Sequence, residues 1–275
     1  MAMTVDDISK RVNYLVDIPL LINANITEYD ISKANINMLL SYGLITQEEY
    51  NKYINMPKMV REISIGKRMK NDNGTYTEEG KLFLNAISEG IAKSKYLLLK
   101  NNNVPIENII RVANDAIYIN CDYKLPITDL DINNNNVYIH FKSDNIYNIM
   151  LNLNQVTIFI YDNPMSDELR VDVKGINDRL LPKHEKMLEF ICNIITDMQR
   201  TGKESILYSF NDFYEKYVRM ELPIEYYREF NSNSAYKIKG TGYYIDSPNE
   251  ADINIIDINY NISVLRLLYS IILDL

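Results

Sequence analysis

The chain has 275 residues, a hydrophobic fraction of 47%, a charged fraction of 24% and a net charge of −8. That is enough apolar material to bury a sizeable core, and it excludes bulk disorder. The acidic balance argues against a protein whose whole surface grips nucleic acid, though a local basic face stays open. The two cysteines, Cys121 and Cys192, lie far apart and fit neither a disulfide framework nor a zinc site. With no basic segment leading into an apolar core at the N-terminus and no apolar run of spanning length, the expectation is a cytoplasmic protein without a membrane.

In chain order, residues 1–23 read as a short mixed lead-in. Ile26 to Asp30 reads as a strand. Helical spacing follows it through Ala34, Met38 and Leu39, with Gly43 as the stop. Thr46, three residues before Glu49, opens a second helix with a capping-box pattern, and Pro57 opens a third. After a turn at 71–76, a long helix carries an apolar stripe through Leu82, Ala86, Ile87, Ile91, Ala92, Tyr96 and Leu99.

The texture then turns β-branched. "IENIIRVANDAIYINCDY" predicts two strands around Asn114-Asp115. "NNVYIHFK", "QVTIFIYD" and "DELRVDVKGIN" predict three more, and the Asn run 133–136 predicts a loop. Residues 183–230 return to helical spacing. The tail predicts strands in "AYKIKGTGYYID" and "ADINIIDIN", then a closing helix. The order of helices, strands and helices points to an α+β fold. The expectation is two regions, 1–180 and 181–275, the second an accessory region of mixed helix and strand, or else one continuous domain.

Two acids stand out. Asp30 ends a predicted strand and Asp115 sits in a predicted hairpin turn. Alone, the first reads as an N-cap and the second as half of an ordinary turn dipeptide. Together, on adjacent strands, they are the oxygen ligands that a site of two divalent ions, Mg²⁺ or Mn²⁺, requires to clamp the attacking and leaving oxygens of a phosphoryl transfer. The insert between them is rich in cations, Lys52, Lys58, Arg61, Lys67, Arg68, Lys70, Lys81, Lys93, Lys95, Lys100 and Arg111, the groups that hold triphosphates and nucleic-acid backbones. The same cations also read as a solvated helical face balanced by Glu62, Glu78, Glu79 and Glu89.

On these residues the chain resembles the palm and fingers of a DNA polymerase of families A and B. "DISKANINML" is similar to family A motif A, with Asp30, Ser32 and Leu39 in place. "RVANDAIYI" is similar to family B motif C, with Asp115, Ile117, Tyr118 and Ile119 in place. "LRVDVKGIN" resembles the strand and Lys-Gly corner that follows motif C in family B. Ala113 stands where family B has a further acid, and Asn35 falls near the position of the side chain that excludes ribose.

The resemblance spans about residues 25–180. It implies an antiparallel palm-like sheet with a helical fingers-like insert, and a reduced or split polymerase encoded by a phage or mobile element. Asp30 and Asp115 are the implied catalytic and metal-binding residues, with Mg²⁺ or Mn²⁺ as cofactor. Lys67, Arg68, Lys93 or Lys95 are the implied phosphate ligands. A primer–template, a nucleoside triphosphate and further replication subunits are the implied partners. The alternative is an inactive polymerase-like viral accessory or structural protein. Weaker candidates are Asp162, Asp167 and Asp172 as added metal ligands, Tyr226, Tyr227 and Phe230 as a stacking surface, a Gly-x-Gly turn at 240–242, and the separated His140 and His184.

Overall fold

The computed structural model describes residues 4–153, 156–163, 165, 168–175, 185–227, 236–237, 244–245 and 255–275. The fold is α+β, with antiparallel sheets and helices. Two compact units divide the chain. The first holds residues 1–16 and 26–146, the second 17–25 and 147–275. The division falls between Ile146 and Tyr147, whereas the boundary expected at 180/181 lies outside the described residues.

The first unit is a six-stranded sheet under a helical layer. Its strands are β1 (Asn13–Leu15), β3 (Ile26–Ile31), β4 (Ile109–Ala113), β5 (Ala116–Asn120), β6 (Asp129–Asp131) and β7 (Tyr138–Tyr147), in the order β1-β4-β5-β3-β7-β6. Helices α1 (Val5–Ser9), α2 (Ala34–Ser41), α3 (Gln47–Ile54), α4 (Lys58–Met69) and α5 (Glu78–Asn101) complete it. Alternate strand residues Tyr29, Ile31, Val112, Ile117, Ile119, Ile139 and Phe141 form one core with Ile8, Met38, Leu98 and Leu99 from the helices. A second cluster of Ile36, Leu39, Ile45, Ile65, Met69 and Phe83 joins α2, α4 and α5.

Local signals account for the helix boundaries. Thr46 and Glu49 form the expected capping box, and Gly43 takes a left-handed φ of 66° after α2. Thr77 caps α5 by accepting from the Gly80 N–H. The buried face of α5 differs from the predicted stripe: it runs through Gly80, Phe83, Ala86, Gly90, Ser94, Lys95, Leu98 and Leu99, while Leu82 is exposed. Small residues set this phase. A Cβ on Gly80 would overlap the Met69 carbonyl, and one on Gly90 would crowd Met38. Close helix approach, not apolar bulk, chooses the face.

The second unit is a four-stranded antiparallel sheet, ordered β10-β9-β8-β2, from β2 (Leu20–Leu21), β8 (Ile149–Leu153), β9 (Val156–Asn163) and β10 (Glu168–Gly175). Its core packs Ile149, Leu151, Ile158 and Ile160 with residues of α6 (Glu185–Thr201), α7 (Lys203–Val218) and α8 (Ile255–Asp274). Phe190 and Phe213 stack at 3.5 Å between ring centroids. The pair β11 (Tyr236–Lys237) and β12 (Tyr244–Ile245) is also described. Residues 255–259, expected as the end of a strand, are instead the start of α8, because Ile258 joins Val264, Leu265 and Leu268 on one buried face. That helix is long and apolar enough to cross a membrane, yet those residues are buried in the core of this unit.

Candidate functional site

β3 lies between β5 and β7 in the sheet. Its side chains alternate. Tyr29 and Ile31 enter the core, and the Tyr29 hydroxyl accepts from the Leu125 N–H at 2.8 Å. Glu28 and Asp30 take the other face. Glu28 is buried and accepts from the Tyr118 hydroxyl and the Asn145 amide, both at 2.6 Å. Asp30 stands opposite Ala116, the residue after Asp115, and the Ile31 N–H donates to the Asp115 carbonyl at 3.2 Å. Strand register therefore brings the two acids side by side.

Beyond Ile31 the chain turns sharply. The Ser32 N–H donates to the His140 carbonyl at 2.9 Å, and the Asn37 amide donates back to the Ser32 carbonyl at 2.6 Å. Lys33 occupies the left-handed region at φ 52° and is itself the residue before α2. A non-glycine residue there carries strain of about 1–2 kcal/mol. Asp30 is thus not the N-cap of α2, which lacks a side-chain cap bond.

The Asp115 turn is held from below. Asn114 has φ 50°, its N–H donates to the Val12 carbonyl at 2.7 Å, and its carbonyl accepts from the Lys95 ammonium at 3.0 Å. Lys95 also donates to the Arg11 carbonyl at 2.9 Å and is 2% exposed. Burial lowers its pKa to about 8, opposed by the nearby charge of Asp115. Among the described residues no hydrogen bond engages the Asp115 carboxylate.

Asp30 and Asp115 line one cleft of about 570 Å³, a volume within the usual range for small-ligand sites. Its other charged walls are Lys33, Lys58, Arg61, Glu62 and Lys142. α4 supplies three of these. Arg61 is 5% exposed, and its Nε donates to Glu62 at 3.3 Å. The second Glu62 oxygen accepts from the Asn35 amide at 2.7 Å, which ties the α4 wall to the start of α2. A buried guanidinium with one long bond to a neighbouring side chain leaves donors for an incoming anion.

Among the described residues no group of three or more His, Cys, Asp or Glu is arranged to hold a metal ion. The cleft sets three carboxylates beside four cations; Glu62 is engaged by Arg61 and Asn35, and Asp30 and Asp115 are the pair that could hold a Mg²⁺ ion whose shell would be completed by water and phosphate oxygens, not an all-protein cage.

The four cations expected to hold phosphate lie elsewhere. Lys67 is exposed near the end of α4. Arg68 pairs with Glu49 at 2.8 Å and Glu79 at 2.6 Å and lies over the Phe83 ring. Lys93 donates to Asn133, and Lys95 is the buried support just described. None of them lines the cleft. Lys58 and Arg61 belong to the same basic insert, and the signal for Arg61 was its place on the buried stripe Arg61-Ile65-Met69. Lys142 depended on the neighbourhood of β3 and β7, which no local pattern reveals.

The remaining candidates have structural partners. Asp162 receives two bonds from Arg200, at 2.5 and 3.1 Å. Asp172 accepts from the Tyr147 hydroxyl and pairs with Lys174, each at 3.0 Å. His140 pairs with Asp129, and Tyr226 and Tyr227 join the aromatic core of the second unit. Asp167, His184, Phe230 and the Gly-x-Gly turn lie outside the described residues.

A search of curated proteins finds no match to this chain. A family model described as bacteriophage PBS1 gene 130 protein matches residues 3–274, nearly the whole length, and the chain, cleft included, belongs to that phage protein family.

Proposed function

We propose that the chain carries out template-directed nucleotidyl transfer at the Asp30–Asp115 cleft, using Mg²⁺ or Mn²⁺. The observation that carries this reading is the meeting of two sequence-distant acids in one cleft walled by Lys33, Lys58, Arg61 and Lys142. A divalent ion bound there supplies Lewis-acid activation of the attacking hydroxyl and charge neutralisation at the departing phosphate. Asp30 and Asp115 present the hard oxygens that hold it. Arg61 and Lys58, three residues apart on α4, bind phosphate oxygens of a nucleoside triphosphate. Lys33 and Lys142 add positive charge from the sheet side. A primer–template is the second partner, and the setting is the host cytoplasm.

The test is incorporation of labelled nucleotide onto a short primer–template with Mg²⁺ or Mn²⁺. Asp30→Asn and Asp115→Asn should each fall to below about one-hundredth of wild type, since loss of a metal ligand removes several kcal/mol of transition-state stabilisation. Wild-type rates in either variant contradict the assignment. Ala113, standing where family B carries a further acid, favours a second reading: an inactive polymerase-like subunit that binds without incorporating.

A further inference from the structure

We propose that Lys95 is the positioning residue of the Asp115 turn, setting the spacing of the two acids from inside a helix; this rests on the reading of the cleft as a divalent-cation site. Lys95 is buried in the last third of α5, and its ammonium bridges two main-chain carbonyls, Arg11 at 2.9 Å and Asn114 at 3.0 Å. These oxygens belong to the segment before β1 and to the β4–β5 hairpin, which the sequence places about a hundred residues apart. The same two segments meet again through the Asn114 N–H and the Val12 carbonyl at 2.7 Å.

The turn needs that support. Asn114 holds a left-handed φ, and its neighbour Asp115 must place a carboxylate beside Asp30. A buried ammonium is costly unless its donors are satisfied, and here main-chain oxygens satisfy two of them. No carboxylate shares a hydrogen bond with it among the described residues, so its hydrogen bonds hold main chain, while the charge of Asp115 acts on it through space. Removing the ammonium leaves the Asn114 carbonyl without this donor and lets the turn shift. A two-carboxylate site weakens when one oxygen moves, and outer-shell groups that orient ligands typically govern metal affinity by about 10–100-fold.

The experiment measures Mn²⁺ binding to the full chain by the loss of the free-ion electron paramagnetic resonance signal. Wild type, Asp115→Asn, Lys95→Met and Leu98→Ala are compared at a temperature where each is folded. Leu98 is fully buried one turn further along α5, so its truncation controls for general destabilisation. Lys95→Met should weaken Mn²⁺ binding at least about tenfold, while Leu98→Ala lowers the melting temperature and keeps wild-type affinity. Wild-type affinity in Lys95→Met, or an equal loss in Leu98→Ala, overturns the proposal. If Lys95→Met does not fold, Lys95→Gln keeps a shorter donor and should show a smaller loss; unchanged affinity there overturns the proposal equally. Equal binding by wild type and Asp115→Asn is a separate outcome: it removes the reading of the cleft, and the proposal with it.

Discussion

The two units spend their buried positions differently. In the first, the charged side chains Glu28, Arg61, Lys95 and Arg111 are all nearly inaccessible. In the second, sheet and helices meet through Ile149, Leu151, Ile158, Leu265 and a run of stacked rings; its buried acids among the described residues are Asp162, matched by a two-bond partner in Arg200, and Asp257 in the first turn of α8. Burying charge is costly, and well-packed apolar residues serve stability as well or better. A fold built only to persist would resemble the second unit throughout. In the first unit Arg61 forms a cleft wall and Lys95 supports the turn that carries a cleft acid. The contrast teaches that one unit is organised around an ionic site and the other around its own packing.

Truncation in the packed unit should separate the two most strongly. Leu265→Ala, at a fully buried position, should cost about 2–5 kcal/mol in denaturant unfolding, with metal affinity of the folded protein unchanged. Altered affinity would break the contrast. Next comes pH. Lys95 has a pKa of about 8 in the fold against an ordinary 10.5. Between those values the unfolded chain binds more protons, so stability rises with pH and is lost as pH falls toward 8. From pH 8 to 9.5, wild type should gain roughly 1.5 kcal/mol relative to Lys95→Met. Cys121 and Cys192, whose thiols burial pushes up, oppose the trend within that window, and Tyr29 and Tyr42, whose phenols burial pushes up, oppose it above; all four cancel in the comparison with Lys95→Met.

Smaller effects sharpen the account of the cleft. Arg61→Met should weaken nucleoside triphosphate binding by about tenfold in calorimetry, the worth of a charge-assisted hydrogen bond. Its effect on stability should be slight, because Glu62 keeps the Asn35 amide as a partner. Lys33→Gly relieves a left-handed backbone and should raise stability by up to about 1 kcal/mol. The same change removes a cleft cation, so stability and ligand binding should move in opposite directions.

Legibility in the sequence followed the range of each interaction. Asp30 and Asp115 could be found because strand ends and turn dipeptides are local patterns, and register alone then joined them. The capping box at Thr46 and the long α5 were equally local. The cations were not. Lys67, Arg68, Lys93 and Lys95 lie in the right insert, but helix phase directs Arg61 and Lys58 to the cleft instead. In α4 that phase shows only as the buried stripe Arg61-Ile65-Met69, and in α5 the phase that buries Lys95 goes with the close approaches at Gly80 and Gly90, whose missing side chains give no hydrophobic signal. β8 escaped notice because "IMLNL" is short and pairs with β2 and β9, one of them far away in sequence.

The most direct measurement is the melting temperature of wild type and Asp115→Asn with millimolar Mg²⁺, a nucleoside triphosphate and a short primer–template. A ligand that binds only the folded chain raises that temperature. A rise in wild type that requires both metal and triphosphate, and that disappears in Asp115→Asn, is the result predicted here. An identical response in the two proteins, or none in either, would contradict the assignment of the cleft.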